Sequence, residues 1–154
     1  MSEISDAIQT KCLAFGDRII KLNDYLLAQA AMEHEKYKKE LRQRKPGQKT
    51  SSILHLPSSI PLHLQAVSNL CNQLLRSGTS VGANNAEASS AISKADFKSK
   101  SYIALKEARE SMYWLELLHR NNYLTDIQFN SLYADAEELV KVLTHRCKKL
   151  DGVE

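Results

Sequence analysis

The chain has 154 residues, 43% hydrophobic and 25% charged, with only five Gly and three Pro. That length suits one domain with one substantial core, and scarce Gly and Pro beside plentiful Leu, Ala, Lys and Glu favour helix. The net charge of +3 is modest, no run approaches the roughly 18 apolar residues of a membrane span, and the N-terminal "MSEISDAIQTK" lacks the pattern of a secretory leader.

Cys12, Cys71 and Cys147 lie far apart, form no CxxC pair and each falls on an apolar stripe. They read as reduced core thiols, which points to a cytoplasmic protein.

In chain order, Ile4, Ile8, Cys12, Phe15, Ile19, Leu22 and Leu26 recur at intervals of three and four and predict a first helix over about residues 4–43. Beyond Met32 the stripe fades into the polar "EHEKYKKELRQRK". The stretch "PGQKTSSILHLPSSIP" (46–61) collects all three prolines with Gly and Ser, which predicts a connection over about residues 44–60. After Pro61 the pattern resumes as Leu64, Val67, Cys71, Leu74, Gly78, Val81, Asn85, Ala88 and Ile92, a second helix over about 61–92. "SKAD", with Ser93 as cap and Asp96 in the first turn, starts a third helix over about 94–120. Its seam runs Phe97, Ser101, Ala104, Ala108, Ser111, Leu115, Leu118. Thr125 and Gln128 match a capping box ahead of a fourth helix, about 126–149, with Ile127, Leu132, Ala136, Leu139, Leu143, Cys147 and Leu150 on one face. Strand signals are absent. The expected fold is all-α: a single antiparallel up-and-down four-helix bundle, residues 1–154, with a long first helix.

The stretch "QLLRSGTSVGANNAEASSA" (73–91) raises the possibility of a phosphate loop, since it holds Gly78 and Gly82 among hydroxyls. A nucleotide-binding P-loop needs glycines five apart and a lysine directly after the second, and neither is present. The four-three register also passes through the stretch unbroken, so it reads as helix interior. Glycines at i and i+4 share a face and allow a neighbouring backbone close. The small residues Ser101, Ala104, Ala108 and Ser111 make the third helix the expected neighbour.

Catalytic and metal chemistry find no support. Glu116 and His119 have the Glu-x-x-His spacing of a di-iron bundle, but no second pair exists. No arginine precedes a histidine at the four-to-six-residue spacing of bundle ribonucleases, and the five histidines are scattered. No catalytic residue, metal, cofactor, small-molecule substrate or membrane contact is therefore expected.

Asn85 falls on the apolar seam, where an unpaired amide would cost about 1–3 kcal/mol, so it needs a partner; an oligomer interface could supply one. Lys106, Glu107, Arg109 and Glu110 alternate in charge, consistent with a solvated face or with an intersubunit ion network. Between residues 36 and 49 lie Lys36, Lys38, Lys39, Arg42, Arg44, Lys45 and Lys49 against the single acid Glu40, leaving the rest of the chain at −3. A local charge of +6 suits phosphate contact, and equally a solvated helix end.

"QLLRSGTSVGANNAEA" followed by "KADFKSKSYIALKEARESMYWLELL" resembles the four-helix 23S ribosomal RNA intervening-sequence proteins, well over residues 61–149 and most specifically over 73–118. Arg76, Ser77, Gly78, Gly82, Asn84 and Glu87 fall on the motif of the second helix; Ala104, Lys106, Glu107, Glu110, Trp114 and Leu115 fall on that of the third. Together with Ala108 and Asn85, they are the expected helix-packing or interface residues. The resemblance implies a bacterial, cytoplasmic, non-enzymatic protein that forms a ring, typically a homopentamer. It extends distantly to a basic pentameric accessory protein of diversity-generating retroelements, which works with a reverse transcriptase and nucleic acid. RNA, DNA or a protein thus stand as partners besides the chain itself. Asn85 departs from the aliphatic residue usual there, and the long basic extension of the first helix exceeds the common pattern.

Overall fold

In the computed structural model, which describes residues 3–43 and 59–152, four helices follow one another: α1 Glu3–Gln43, α2 Ser59–Ser89, α3 Lys94–Arg120 and α4 Asp126–Asp151. No strand occurs among the described residues. Each helix packs on the next, and α1 closes more narrowly back onto α4, so α1 faces α3 and α2 faces α4 across the diagonals. Cross-helix pairs run in opposite residue order, as in Ser5 with Ser89 and Ile19 beside Gly78, and all neighbours are antiparallel.

The apolar stripes become the core. Phe15, Ile19, Leu115, Leu118, Leu139 and Leu143 are fully enclosed, with Val67, Cys71, Leu74 and Val81 from α2 beside them. The helix ends follow from local chemistry. Ser93 caps α3 by accepting from the Asp96 N–H at 3.1 Å, and Thr125 and Gln128 form the reciprocal capping box of α4. Gly152 closes α4 with φ of 71°, a left-handed conformation that glycine adopts without steric cost.

Periodicity overran at the helix ends. α2 stops at Ser89, where Ser90 and Ala91 donate back to the Glu87 and Ala88 carbonyls, and Ile92 projects into solvent at 95% exposure. Ile127, in the first turn of α4, is likewise exposed, at 83%.

Ion pairs lace the rims: Lys11–Glu138 (2.6 Å) and Arg18–Asp135 join α1 to α4, Lys100–Glu87 joins α2 to α3, and Lys98–Asp151 (2.5 Å) joins α3 to α4. Exposed pairs of this kind are screened by water and contribute little, so the core carries the stability.

Gly16, inside α1, offers a direct gain. A Cβ placed there meets no atom within 4 Å, while a helical glycine costs about 0.5–1 kcal/mol relative to alanine. Gly16→Ala is expected to raise the melting temperature by roughly 1–4 °C in a circular-dichroism melt.

Candidate functional site

The α2 motif serves mainly internal packing. Gly78 and Gly82 do not face α3, as their match to its small seam led one to expect; they face α1. A Cβ on Gly78 would lie 3.0 Å from Ile19 Cγ1, and one on Gly82 3.3 Å from Cys12 Cβ. The glycines sit in line with Val67, Cys71, Leu74 and Val81, and that line turns toward the large side chains of α1. The approach to α3 falls to the adjacent position, Ser77, which accepts a 3.0 Å hydrogen bond from Ser111 deep in the bundle. Ala104 and Ala108 are wholly enclosed on that seam.

Asn85 is satisfied inside the chain, not across an interface. Its Nδ2 donates to Gln9 Oε1 at 2.6 Å, and its Oδ1 accepts from the Arg146 guanidinium at 2.6 Å. The amide, at 0% exposure, thus links α1 to α4 and spans the α2–α4 diagonal. Arg146 lies 5.6 Å from the centre of the Phe97 ring and is half-buried; desolvation lowers its pKa. The sequence flags the asparagine and places Phe97 on the α3 seam but gives no sign of Gln9 and Arg146, because polar residues beside an apolar stripe read as solvated until the neighbouring helices are placed.

Of the remaining motif residues Leu115 is enclosed in the core, Trp114 packs half-buried against it, and the polar ones lie at or near the surface. Asn84 donates back to the Ser80 carbonyl at 2.9 Å, and Glu87 pairs with Lys100 across α2 and α3. Arg76 and Lys106 are exposed. Burial, followed by the nearby Glu110 charge, raises the Glu107 pKa, and Arg76 opposes the rise. Glu110 accepts from Trp114 Nε1 at 3.0 Å, and Tyr113, 55% exposed, meets Trp114 edge-on with ring centres 5.0 Å apart.

Glu116 and His119 are occupied elsewhere. Glu116 pairs with Arg120 at 2.5 Å, and His119 Nε2 lies 2.7 Å from Asp126 Oδ1 while its ring stacks on Phe129. No group of three or more potential metal ligands occurs among the described residues. The three cysteines are free and buried; burial pushes Cys12 and Cys71 up to about 11, far from a reactive thiolate.

The basic segment begins on a projecting helix end. The register that sets Ser5 against Ser89 and Ser77 against Ser111 carries α1 and the start of α2 past the α3–α4 turn. Lys36, Lys38, Lys39 and Arg42 are exposed on that extension, and Lys38 pairs locally with Glu35 at 2.8 Å. Arg44, Lys45 and Lys49 lie outside the described residues.

Comparison with known proteins agrees with this architecture. The pattern of the 23S rRNA-intervening sequence protein family matches residues 48–145. A crystal structure of a protein of unknown function from the S23 ribosomal protein family of Bacteroides thetaiotaomicron is 34% identical to the chain. The alignment covers 94% of this chain and 98% of that one, with a TM-score of 0.66. No curated protein matches the chain. Among the described residues no helix is long and apolar enough to cross a membrane.

Proposed function

Because the chain belongs to the 23S rRNA-intervening sequence protein family, we propose that it is a non-enzymatic, self-assembling helical bundle that serves as an RNA- or DNA-associated scaffold or accessory factor. The observation that carries this reading is the projecting end of α1. Four exposed cations stand clear of the bundle there, and the chain continues into three more within the following seven residues. Clustered lysines and arginines on an extension reach a phosphate backbone without the bundle having to deform, and phosphate contact needs no shaped pocket. The motif residues support the same picture, since they are spent on packing and surface pairs and leave no constellation for bond chemistry.

Self-assembly, with five copies in a ring as the expected form, draws on the exposed Tyr113 beside Trp114 and on the Lys106 and Glu110 charges around them. The same aromatic patch favours a second reading, an oligomer whose partner is another protein, because aromatic residues concentrate in interface centres. Light scattering at micromolar concentration tests assembly directly, and a monomer there removes it.

Nucleic-acid binding is tested by anisotropy with labelled RNA and duplex DNA between 50 and 200 mM salt, conditions over which phosphate contacts lose affinity steeply. The variant replacing Lys38, Lys39, Arg42, Arg44 and Lys45 by Gln is expected to bind at least about tenfold more weakly with a shallower salt slope, each lost contact reducing the slope by roughly 0.7–0.9. Unchanged affinity in that variant sinks the role of this segment. An absence of binding by the native protein at low salt leaves the protein-partner reading.

A further inference from the structure

The long α1 leaves a corner where it passes the α3–α4 turn, and this corner holds a cavity of about 550 Å³. That size falls in the range of small-molecule sites. Its floor is apolar: Leu26 and Ala30 from α1, Val67 from α2 and Leu124 from the turn, all buried. One wall is a single face of α1, where Tyr25, Gln29 and Glu33 recur at i, i+4 and i+8. The facing wall is the turn and the start of α4, with Tyr123 and Asp126.

The charge of the cavity is one-sided. Glu33 from α1 and Asp126 from α4 both line the space, Asp126 Oδ1 lying 2.7 Å from His119 Nε2, and among the described residues no Lys or Arg lines it, although the chain as a whole carries more bases than acids. The Tyr123 phenol is pushed up first by burial and next by the negative charge of Glu33, so the field of that carboxylate reaches the interior. The Tyr25 and Tyr123 rings add faces that attract an organic cation.

We propose that this corner binds a linear aliphatic polyamine. One ammonium group pairs with Glu33 and a second with the Oδ2 of Asp126, whose Oδ1 stays with His119, and the methylene chain between them lies on the Leu26–Ala30–Val67–Leu124 floor. An anion meets two like charges, and a neutral chain of the same length leaves the Glu33 carboxylate unanswered, Asp126 keeping only its contact with His119. A lysine side chain offers a single ammonium group and uses one wall only.

The test is a titration of the full chain with spermidine at fixed ionic strength, read by calorimetry and by the NMR signals of the Tyr25, Tyr123 and His119 rings. Saturable binding of one spermidine per chain is expected, together with a shift of the Tyr123 titration to lower pH, because a nearby cation favours the phenolate. Nα-acetyl-lysine amide is expected to bind at least tenfold more weakly. Glu33→Gln, on the exposed part of α1, and Asp126→Asn, which leaves the Thr125–Gln128 capping box intact, are each expected to weaken spermidine at least tenfold with unchanged far-UV circular dichroism. Should the second variant fail to fold, Glu33→Gln alone decides. The proposal is overturned if potassium chloride at matched ionic strength reproduces the shifts, if Glu33→Gln binds as tightly as the native chain, or if the lysine amide equals spermidine.

Discussion

Gly78→Leu is expected to destabilise the protein by about 3 kcal/mol, the upper end of the usual overpacking cost. Even one carbon at residue 78 would come within 3.0–3.3 Å of three atoms of Ile19, which is itself fully enclosed and has nowhere to turn. Leucine adds three more carbons to that contact, so α1 and α2 must separate. For a chain of this length the loss corresponds to a melting temperature lower by roughly 6–12 °C. Gly78→Ala sets a helix-propensity gain of about 1 kcal/mol against the tight Cβ contact and is expected to change stability little. Ile19→Ala removes the Cγ1 and Cγ2 atoms that the new side chain would strike. The double variant Ile19→Ala/Gly78→Leu is therefore expected to be more stable than the two single changes added together, by about 0.5–3 kcal/mol in urea unfolding. Strict additivity would place the strain of Gly78→Leu away from the α1–α2 contact.

Asn85→Leu places in this chain the kind of side chain that the sequence motif usually carries there, and it is nonetheless expected to cost about 2–3 kcal/mol. The leucine leaves the Arg146 guanidinium without its oxygen and Gln9 Oε1 without its donor, and an abandoned buried partner costs more than the lost bond was worth. Removing the partner as well reverses much of the loss. Asn85→Leu/Arg146→Leu is expected to lie within about 1 kcal/mol of the native protein, since replacing both members of a buried pair by apolar groups is close to neutral. Chemical unfolding of the four proteins of this cycle measures the coupling. An Asn85→Leu protein as stable as the native one would show that Arg146 reaches water on its own and that the bridge across the diagonal carries no stability.

The two predictions share one lesson about legibility. Gly78 and Asn85 both stood out in the sequence, the first as a small residue and the second as a polar one on an apolar stripe. Their partners did not. The periodicity that identified α2 says which residues share a face, and it is silent about which helix that face meets. Gly78 and Ser77 are consecutive yet point about 100° apart, which is enough for one to meet Ile19 on α1 and the other Ser111 on α3. The assignment of the glycines to α3 failed on that angle.

What the sequence determined alone was local in origin. Apolar spacing, Ser93, the Thr125–Gln128 box and the proline-rich connection were enough for four helices, their order and the bundle they form, because capping and amphipathicity act within a few residues. The small-residue motif of α2 and α3 was also enough to point to the family. Tertiary structure decided everything that depends on distance across the chain: the α1 side chains against Gly78 and Gly82, the Gln9–Asn85–Arg146 bridge, and the corner between α1 and the α3–α4 turn. Those features arise where residues 76, 61 and about 90 positions apart meet. The rotation and axial register that bring them together are set by packing the whole core at once, and no short-range pattern encodes that fit.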